Sequence, residues 1–442
     1  MITRERVQNR DLAIGIIGLG YVGLPTAIGF HEVGFKVFGM DISEEVVKKL
    51  NNGINPGHDP EFDGKIPSDK RWNITMNPEE CIPFCDVIIV TVPTPVLENH
   101  KPDLSYIQQA GISIFDHVNK SLSPTVILES TVYPGVTKEI WCPLIEERNL
   151  IQGIDVHIAY CPERFVPGDP IHGVRQVPRV VGAEDREICS ILSELYSTLT
   201  SGEVYPVSSI EVAEASKVIE NVQRDLNIAL VNELALIFPE IGLDVEEVLS
   251  AAATKWNFHR YTPGIGVGGH CIPVDPYYLI QKANAAGAPV DLITSARNVN
   301  SNMPSQVANR ILHHAKSLNK DSDGLRILLL GWAYKPGISD IRESPTKPLA
   351  VTLRDSGCEV FAWDPYVSIE NRPTDFTEWV DEPKDAEADV VVICTAHQEV
   401  INIDWKELRN YSEIGLIYDG RRVLNEHEMV SHGWKFTAIG KP

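Results

Sequence analysis

Short apolar runs alternate with amphipathic stretches in the N-terminal part of the chain. Continuous apolar runs of this kind are typical of strands that are buried on both faces of a parallel sheet. Between them, Val22–Val33 is predicted to be a helix, and Ser43 to cap a helix that begins at Glu44. The pattern predicts an α/β fold with a doubly wound, Rossmann-like sheet. The predicted strands are Leu12–Gly18, Lys36–Asp41, Asp86–Val92, Thr125–Glu129 and Val156–Tyr160.

The middle of the chain has the pattern of long helices. A stretch with few helix breakers runs from Glu211 to Pro239, and further helices are predicted at Val245–Ala253, Pro276–Ala286 and Asp291–Ser317. Their apolar faces exceed what one lobe can bury, so we expect this region to join two lobes and to form a homodimer surface. A monomeric helix between two domains is the alternative.

An α/β pattern begins again at Arg326–Gly331 and predicts a second Rossmann-like lobe. The two lobes show a weak internal repeat, since Val37–Asp41 and Val360–Asp364 would each end a second strand. The second lobe lacks a Gly-x-Gly-x-x-Gly sequence, so we expect it to hold a different nucleotide. The predicted domains are residues 1–205, residues 206–317 and residues 318–442.

Composition narrows the classes of protein that need to be considered. The chain has 442 residues, of which 43% are hydrophobic, enough for two or three domains. No apolar stretch predicts a signal peptide or membrane helix, and the eight cysteines form no Cys-x-x-Cys pair, so we expect a reduced, cytoplasmic setting. The formal charge of −22 argues against nucleic acid or an anionic membrane as a partner. An anionic nucleotide would therefore need a local cationic pocket.

The turn between the first predicted strand and helix reads Gly18-Leu19-Gly20-Tyr21-Val22-Gly23. In a dinucleotide-binding turn, the first glycine allows the tight bend, the second admits a pyrophosphate and the third lets helix and strand pack. Asp41 ends the next strand, where a carboxylate binds ribose hydroxyls and repels a 2′-phosphate. We therefore predict that NAD, rather than NADP, binds to Gly18, Gly20, Tyr21, Val22, Gly23 and Asp41.

Polar residues follow three further strands. They are Pro93 and Thr94 in Val-Pro-Thr-Pro, Thr131 in Glu-Ser-Thr-Val-Tyr-Pro, and Glu163 and Arg164 in Cys-Pro-Glu-Arg. Because the carboxyl ends of parallel strands line the ligand crevice, we expect the threonines near the nicotinamide and Glu163 in catalysis. Ordinary strand-end turns and a surface carboxylate are the alternatives.

On the long predicted helix, Lys217 and Asn221 are four residues apart and so share a face. A lysine charge and an amide donor together suit the stabilisation of a developing oxyanion. A solvated helix face is the alternative.

Cys271 follows a stretch with glycines at 264, 266, 268 and 269, and Asp275 follows it by four residues. A backbone without side chains lets a ligand approach closely, here predicted for Gly264 and Gly268. Together with the dinucleotide turn, this pattern indicates oxidation through a covalent intermediate on Cys271, with Asp275 serving the thiol or a water. A small core residue is one alternative for Cys271, and a zinc ligand with His270 is another. We expect no metal.

Cations beyond a strand end are good candidates for phosphate binding in an acidic protein. We predict that Arg342 binds the cofactor and that Lys335 and Arg421 bind the substrate. Arg422 is a further candidate.

Taken together, these motifs resemble those of the UDP-glucose/GDP-mannose 6-dehydrogenase family. The segments GLGYVGLP, VPTP, ESTVYPG, CPER, KVIEN, GVGGHCIPVDPYYL, YKPGISDIRESP and DGR occur in the family's order over nearly the whole chain. Gln223–Ala229 and His270 resemble the branch that acts on UDP-N-acetylhexosamines. Ala253–Phe258 and Ile272–Asp275 look most like the UDP-N-acetylglucosamine enzymes. Arg260 and Tyr261 are expected to contact the substrate, although their loop departs from the family's pattern.

The resemblance implies two Rossmann-like lobes joined by a long helix, with residues 1–205 binding NAD and residues 318–442 binding the UDP-sugar. It implies a four-electron oxidation of C6 that uses two NAD⁺ and one water. Cys271 would form a thiohemiacetal and then a thioester, which water hydrolyses. Lys217 and Asn221 would steady the negative oxygen, Asp275 and Thr131 would order a water or act as base, and Glu163 would assist hydrolysis. A one-step hydroxyacid-type dehydrogenase and a non-enzymatic NAD-sensing scaffold are the rival functions.

Overall fold

The computed structural model describes residues 1–57, 62–95, 102–165, 171–269 and 271–442. They form two compact units, which we call the first unit (Met1–Glu220 with Tyr277–Ala286) and the second unit (Asn221–Pro276 with Gly287–Pro442). Both are α/β, as predicted. One boundary falls inside a long helix, and the division into three domains stays a prediction.

Within the described residues, eight strands form the sheet of the first unit. They are β1 (Ala13–Ile17), β2 (Lys36–Met40), β3 (Trp72–Thr75), β4 (Val87–Val90), β5 (Thr125–Leu128), β6 (His157–Tyr160), β7 (Arg179–Ala183) and β8 (Val204–Val207). Their order is β3-β2-β1-β4-β5-β6-β7-β8, and all neighbours are parallel except β6 and β7. The five predicted strands are confirmed with slightly shorter bounds. The strand β3, the antiparallel β7 and the strand β8 beyond it were not predicted.

The helices of the first unit that precede residue 200 cover this sheet. They are α1 (Arg4–Gln8), α2 (Gly23–Glu32), α3 (Glu44–Asn51), α4 (Pro78–Cys81), α5 (Ser105–His117), α6 (Val136–Glu147) and α7 (Arg186–Leu199). The predicted cap of α3 is confirmed, because the Ser43 hydroxyl accepts a hydrogen bond from the Val46 N–H.

Four helices follow in the middle of the chain. They are α8 (Ile210–Glu240), α9 (Val245–Ala252), α10 (Asp275–Ala285) and α11 (Asp291–Ser317). All four were predicted, and α11 has the predicted bounds. In the described parts of the chain, no helix has the length and apolar character needed to cross a bilayer.

The sheet of the second unit is parallel throughout its described strands. They are β9 (Arg326–Leu330), β10 (Glu359–Trp363), β11 (Glu378–Trp379), β12 (Val390–Ile393), β13 (Leu416–Asp419) and β14 (Lys435–Ala438), in the order β11-β10-β9-β12-β13-β14. The remaining helices are α12 (Thr346–Asp355), α13 (Gln398–Ile401), α14 (Trp405–Leu408) and α15 (Glu426–Ser431). The first six strands of the other sheet have the same order, which is that of a Rossmann fold.

The central strands of both sheets are buried on both faces. On β4, Val87 and Ile89 pack into one core of the first unit, while Ile88 and Val90 pack into the other. Consecutive residues of β9 divide in the same way between the two cores of the second unit. This double burial is why the strands are continuous apolar runs in the sequence.

The internal repeat is a structural one. Asp41 follows β2, and its carboxylate accepts hydrogen bonds from the N–H of Leu19, in the turn after β1, at 2.7 Å. Asp364 follows β10 and accepts hydrogen bonds from the N–H groups of Trp332 and Ala333, after β9, at 2.6 and 2.8 Å. In each unit, an acid at the end of the second strand thus holds the loop after the first.

A buried carboxylate on α8 ties this helix to the start of α6. Glu214 accepts hydrogen bonds from the N–H groups of Gly135 and Thr137 and from the Thr137 hydroxyl. These N–H groups belong to the open N-terminus of α6, so the carboxylate replaces a local cap. Burial raises the pKa of Glu214 above its ordinary value.

We expect Glu214→Ala to destabilise the protein, because it leaves three donors without their acceptor. At about 1 kcal/mol or more for each unsatisfied buried donor, the free energy of unfolding should fall by about 3 kcal/mol. Glu211→Ala, on the same helix, is the control: it removes a partly exposed ion pair with Lys138 and should cost about 0.5 kcal/mol. Urea unfolding measures both, and similar losses in the two variants would contradict the role of Glu214.

Candidate functional site

The glycine turn after β1 has the geometry of a dinucleotide cradle. Gly18 has a φ of +92°, which favours glycine. A Cβ on Gly23 would lie 1.8 Å from the Gly18 carbonyl oxygen and 2.5 Å from the Thr91 hydroxyl, so α2 can pack here only without a side chain. A Cβ on Gly20 would meet nothing within 4 Å. Gly18 and Gly23 therefore have the bending and packing roles that we predicted, and the space at Gly20 is open, as access of a pyrophosphate would require.

The surroundings of this turn fit NAD. Val22 precedes α2 as its N-cap without a side-chain cap hydrogen bond, while the Leu24 N–H donates to the Gly20 carbonyl at 3.1 Å and Pro25 has no N–H. The positive end of the α2 dipole therefore faces the turn without a capping side chain, and such a helix N-terminus favours an anion. Tyr21 is exposed beside it. The carboxylate of Asp41 accepts hydrogen bonds from Leu19 and, at 2.8 Å, from the Ser43 N–H. These contacts hold Asp41 at the turn, where ribose hydroxyls are expected.

The loops after β4 and β5 lie against each other in the first unit. The Ser130 hydroxyl donates to the Val92 carbonyl at 2.6 Å, which joins the segments that contain Thr94 and Thr131. The Thr94 carbonyl accepts a hydrogen bond from the Tyr278 hydroxyl at 2.7 Å. Pro93 is exposed, and Thr131 is half-buried. The strand-end residues predicted for the nicotinamide are therefore close neighbours.

Glu163 and Lys217 form a half-buried pair in the first unit. The Lys217 ammonium lies 3.9 Å from a Glu163 carboxylate oxygen, and Lys217 is only 8% exposed. Burial raises the pKa of Glu163 above its ordinary value, and the positive charges of Lys217 and Arg179 oppose that rise. The alternative of a solvated lysine is wrong. Arg164 points instead to Glu220, at 2.9 Å.

Sequence reasoning missed a fully buried group behind Glu163. Arg179 on β7 lies 3.3 Å from Glu129, which also accepts a hydrogen bond from the Tyr196 hydroxyl at 2.6 Å. Burial raises the pKa of Glu129 and brings that of the Cys161 thiol to about 12. An arginine inside the apolar run of β7 was the available signal, since a charged residue is seldom buried without a partner.

In the second unit, Asn221 and Asp275 form a direct hydrogen bond. The Asn221 amide donates to the Asp275 carboxylate at 2.6 Å, and both side chains are buried. We expected the Asn221 amide to donate to an oxyanion, and in this structure it donates to Asp275, the predicted base. Cys271 is half-buried, and its carbonyl accepts hydrogen bonds from the N–H groups of Val274 and Asp275 at 3.1 and 2.9 Å. Cys271 thus opens the turn that leads into α10, and a helix N-terminus favours negative charge.

His270 lies outside the described residues. It was considered as a zinc ligand together with Cys271, and it is one of the features that resemble the N-acetylhexosamine branch. The glycines before it pack against protein. A Cβ on Gly268 would lie 2.6 Å from the Tyr334 Cβ, one on Gly269 would lie 2.8 Å from the Tyr334 ring, and one on Gly264 would lie 2.8 Å from an Nη atom of Arg421. We predicted that a ligand would approach the backbone of these glycines closely. On the side where a Cβ would project, Tyr334 and Arg421 occupy that place.

The predicted phosphate-binding cations have different partners. Lys335 is exposed, while the Arg342 guanidinium pairs with Asp340 at 2.6 Å. Arg421 donates through Nε to the Cys394 carbonyl at 2.6 Å, and burial lowers its pKa. Both Nη atoms of Arg422 bind the Asp244 carboxylate, at 2.9 and 3.0 Å, and its binding of phosphate stays a prediction.

The loop before the glycines holds the last two predicted substrate residues. Arg260 pairs with Glu246 on α9, and Tyr261 packs against a core of the second unit.

Two Rossmann-like sheets, the first with a glycine turn of the dinucleotide-binding type, are the architecture of a nucleotide-dependent dehydrogenase. Residues 12–200 match the NAD binding domain of the UDP-glucose/GDP-mannose dehydrogenase family, residues 211–302 match its central domain, and residues 328–426 match its UDP binding domain. The chain belongs to this family. It is an NAD-dependent UDP-sugar dehydrogenase, with a UDP-sugar as substrate.

Several relatives are similar over nearly their whole length. UDP-N-acetyl-D-glucosamine 6-dehydrogenase of Pseudomonas aeruginosa is 37% identical over 420 residues, which cover 94% of this chain and 98% of the relative. The structure of UDP-D-ManNAc dehydrogenase from Pyrococcus horikoshii has a TM-score of 0.87 at 33% identity and covers 97% and 99% of the two chains. NDP-N-acetyl-D-galactosaminuronic acid dehydrogenase from Methanosarcina mazei has a TM-score of 0.86 at 30% identity and covers 100% and 98%.

Two glycine substitutions separate the fold of the turn from its function. Gly20→Ala should fold normally but weaken NAD binding by about tenfold or more, because the methyl group enters the space of the pyrophosphate. Gly23→Ala should lower the melting temperature, because its methyl group meets the Gly18 carbonyl. Calorimetric titration with NAD and thermal melts test both variants. Unchanged NAD affinity in Gly20→Ala would place the pyrophosphate elsewhere.

Proposed function

We propose that the enzyme oxidises C6 of a UDP-N-acetylhexosamine to the carboxylate, with UDP-N-acetylglucosamine as the preferred substrate, in the cytoplasm and for the synthesis of surface polysaccharide or glycan precursors. The observation that carries this proposal is the buried Asn221–Asp275 pair, which joins α8 to the turn that Cys271 opens. The named activity of the Pseudomonas aeruginosa relative supports the choice of sugar. UDP-N-acetylmannosamine, UDP-N-acetylgalactosamine and UDP-glucose are the alternatives.

The reaction converts a primary alcohol and one water to a carboxylate and three protons, while two NAD⁺ become two NADH. Bound NAD⁺ supplies the hydride acceptor. Loss of a hydride from C6 and of the hydroxyl proton gives an aldehyde. The Cys271 thiol adds to this aldehyde as a thiohemiacetal, which becomes a thioester on losing a second hydride and its hydroxyl proton. Water then hydrolyses the thioester to the carboxylate and restores the thiol. A carboxylate that accepts an amide hydrogen bond, as Asp275 does, is suited to hold a water or take its proton.

The remaining groups stabilise charge. Lys217 is buried and positively charged, so it would stabilise the oxygen that becomes negative at C6, with Asn221 as a further donor. Glu163, with its raised pKa, would assist hydrolysis of the thioester, and Thr131 would help to hold the water. The UDP-sugar would be bound by Glu163, Arg164, Lys217, Asn221, Arg260, Tyr261, Gly264, Gly268, Lys335 and Arg421. NAD would be bound by the turn from Gly18 to Gly23, Asp41, Pro93, Thr94, Thr131 and Arg342.

An exposed apolar face on α8 supports a homodimer. Leu230, Ile237 and Ile241 are 54%, 45% and 63% exposed. Leu230 and Ile237 are seven residues apart and lie on one face of α8, and Ile241 follows in the turn after the helix. Apolar residues that line up in this way are typical of a protein interface, whereas scattered exposed ones are not.

The nucleophile is tested by replacing Cys271. Wild-type enzyme should release two NADH for each UDP-sugar consumed, and Cys271→Ala should form no uronate while its NAD affinity stays normal, because the thiol carries the intermediate. Cys142→Ala, at the other half-buried cysteine among the described residues, is the control and should stay active. The measurements are NADH absorbance and product mass, with the three UDP-N-acetylhexosamines and UDP-glucose compared side by side. One NADH per sugar would favour the one-step dehydrogenase, and none with any sugar would revive the scaffold.

The homodimer is tested at the apolar face of α8. The double variant Leu230→Glu, Ile237→Glu should be monomeric by light scattering after gel filtration, because it places charge in an apolar interface. Val430→Glu introduces the same change at an exposed apolar residue of α15 and should remain dimeric. A dimer that survives the double substitution would show that the interface lies elsewhere.

A further inference from the structure

A buried polar chain crosses the second unit from α11 to the glycine segment before Cys271. Its four side chains come from α8 and α11, and each is at most 4% exposed. None of them was predicted as a site residue, although one belongs to the segment Gln223–Ala229 that resembles the N-acetylhexosamine branch. They are Arg297, Asp225, Asn300 and Asn232.

The hydrogen bonds of this chain are continuous. Arg297 Nη1 donates to Asp225 Oδ1 at 2.5 Å, and Asn300 Nδ2 donates to the same oxygen at 2.7 Å and to the Asp225 carbonyl at 3.0 Å. Asn232 Nδ2 then donates to Asn300 Oδ1 at 2.8 Å. Asn232 Oδ1 finally accepts from the Gly264 N–H at 2.9 Å. The chain thus ends on the backbone of the first glycine of the segment.

The direction of every bond is fixed by the two ends. The Gly264 N–H can only donate, so Asn232 must present its oxygen there and its NH₂ group to Asn300. An ionised Asp225 can only accept, so Asn300 must present its NH₂ group to it. Neither amide can turn over without placing two acceptors or two donors face to face. The chain therefore holds Gly264 in one position.

The same glycine segment also contacts the loops that follow β9 and β13 in the second unit. Gly264 lies under the Arg421 guanidinium, and Gly268 lies against Tyr334. A segment of glycines has little side-chain packing of its own, so its location depends on these contacts and on the bond from Asn232. Arg421 is also one of the residues proposed for the UDP-sugar.

We propose that Asn232 is a positioning residue for the UDP-sugar: through the Gly264 N–H it sets the location of the glycine segment, and Asp225 with Arg297 and Asn300 fixes the orientation of its amide. This inference rests on the proposed function. The proposal gives the segment Gln223–Ala229 a physical role, because its buried Asp225 orients, through Asn300, the Asn232 amide that holds Gly264.

Asn232→Ala tests the proposal by the KM of each substrate. Loss of one buried acceptor should raise the KM for the UDP-sugar about tenfold and leave the KM for NAD⁺ within about twofold. A variant that only lost stability would lower the amount of active enzyme without raising one KM selectively. Asn309→Ala, an exposed asparagine of α11, is the control and should change neither value. If Asn232→Ala does not fold, Asn232→Leu, which fills the space without an acceptor, is expected to give the same result.

A second measurement does not depend on turnover. Iodoacetamide alkylation of Cys271, followed by mass spectrometry of its peptide, should be faster in Asn232→Ala than in wild type, because the segment before the thiol is no longer held. The Cys142 peptide gives the internal reference. In an active enzyme, an unchanged KM for the UDP-sugar overturns the proposal. If wild type oxidises no UDP-sugar, the proposed function fails, and an unchanged alkylation rate then overturns the positioning role as well.

Discussion

Burial of both faces of two parallel sheets is the constraint on which the rest of this molecule depends. Because neighbouring residues of a central strand point into opposite cores, consecutive positions of β4 and β9 must all be apolar. Reactive side chains are therefore confined to strand ends, loops and the helices that cover them. Glu163 follows β6, and Lys335 follows β9, for this reason. The loops are then the part of the chain in which substitutions can change the substrate without cost to the cores.

Two of the buried carboxylates of this acidic protein are each paired with an arginine of their own unit. Glu129 has Arg179 in the first unit, and Asp225 has Arg297 in the second. A buried carboxylate without such a partner would cost several kcal/mol, so these arginines neutralise charge in the interior. Fewer cations remain for anionic ligands, and those proposed for the UDP-sugar lie in loops.

Glycine has different functions in the two ligand-related segments. In the turn after β1, Gly23 is required by the backbone of the turn itself, whereas Gly20 leaves open space. In the segment before Cys271, Gly264 and Gly268 make room for side chains of the second unit. A glycine-rich sequence in a loop is therefore compatible with ligand contact and with tight packing, and only the neighbours of each Cα distinguish the two.

Local order was determined by the sequence alone. Strand runs, the Ser43 cap, the bounds of α11 and the bend at Gly18 were predictable, because each depends on residues that are close along the chain. The partners of the site residues were decided only by the tertiary structure. Asn221 meets Asp275 across 54 residues, and Arg422 meets Asp244 across 178, while its neighbour Arg421 does not. The antiparallel β7 and its buried Arg179 belong to the same group. Which donor meets which acceptor depends on how distant elements pack, and the spacing of residues along the chain carries no information about that.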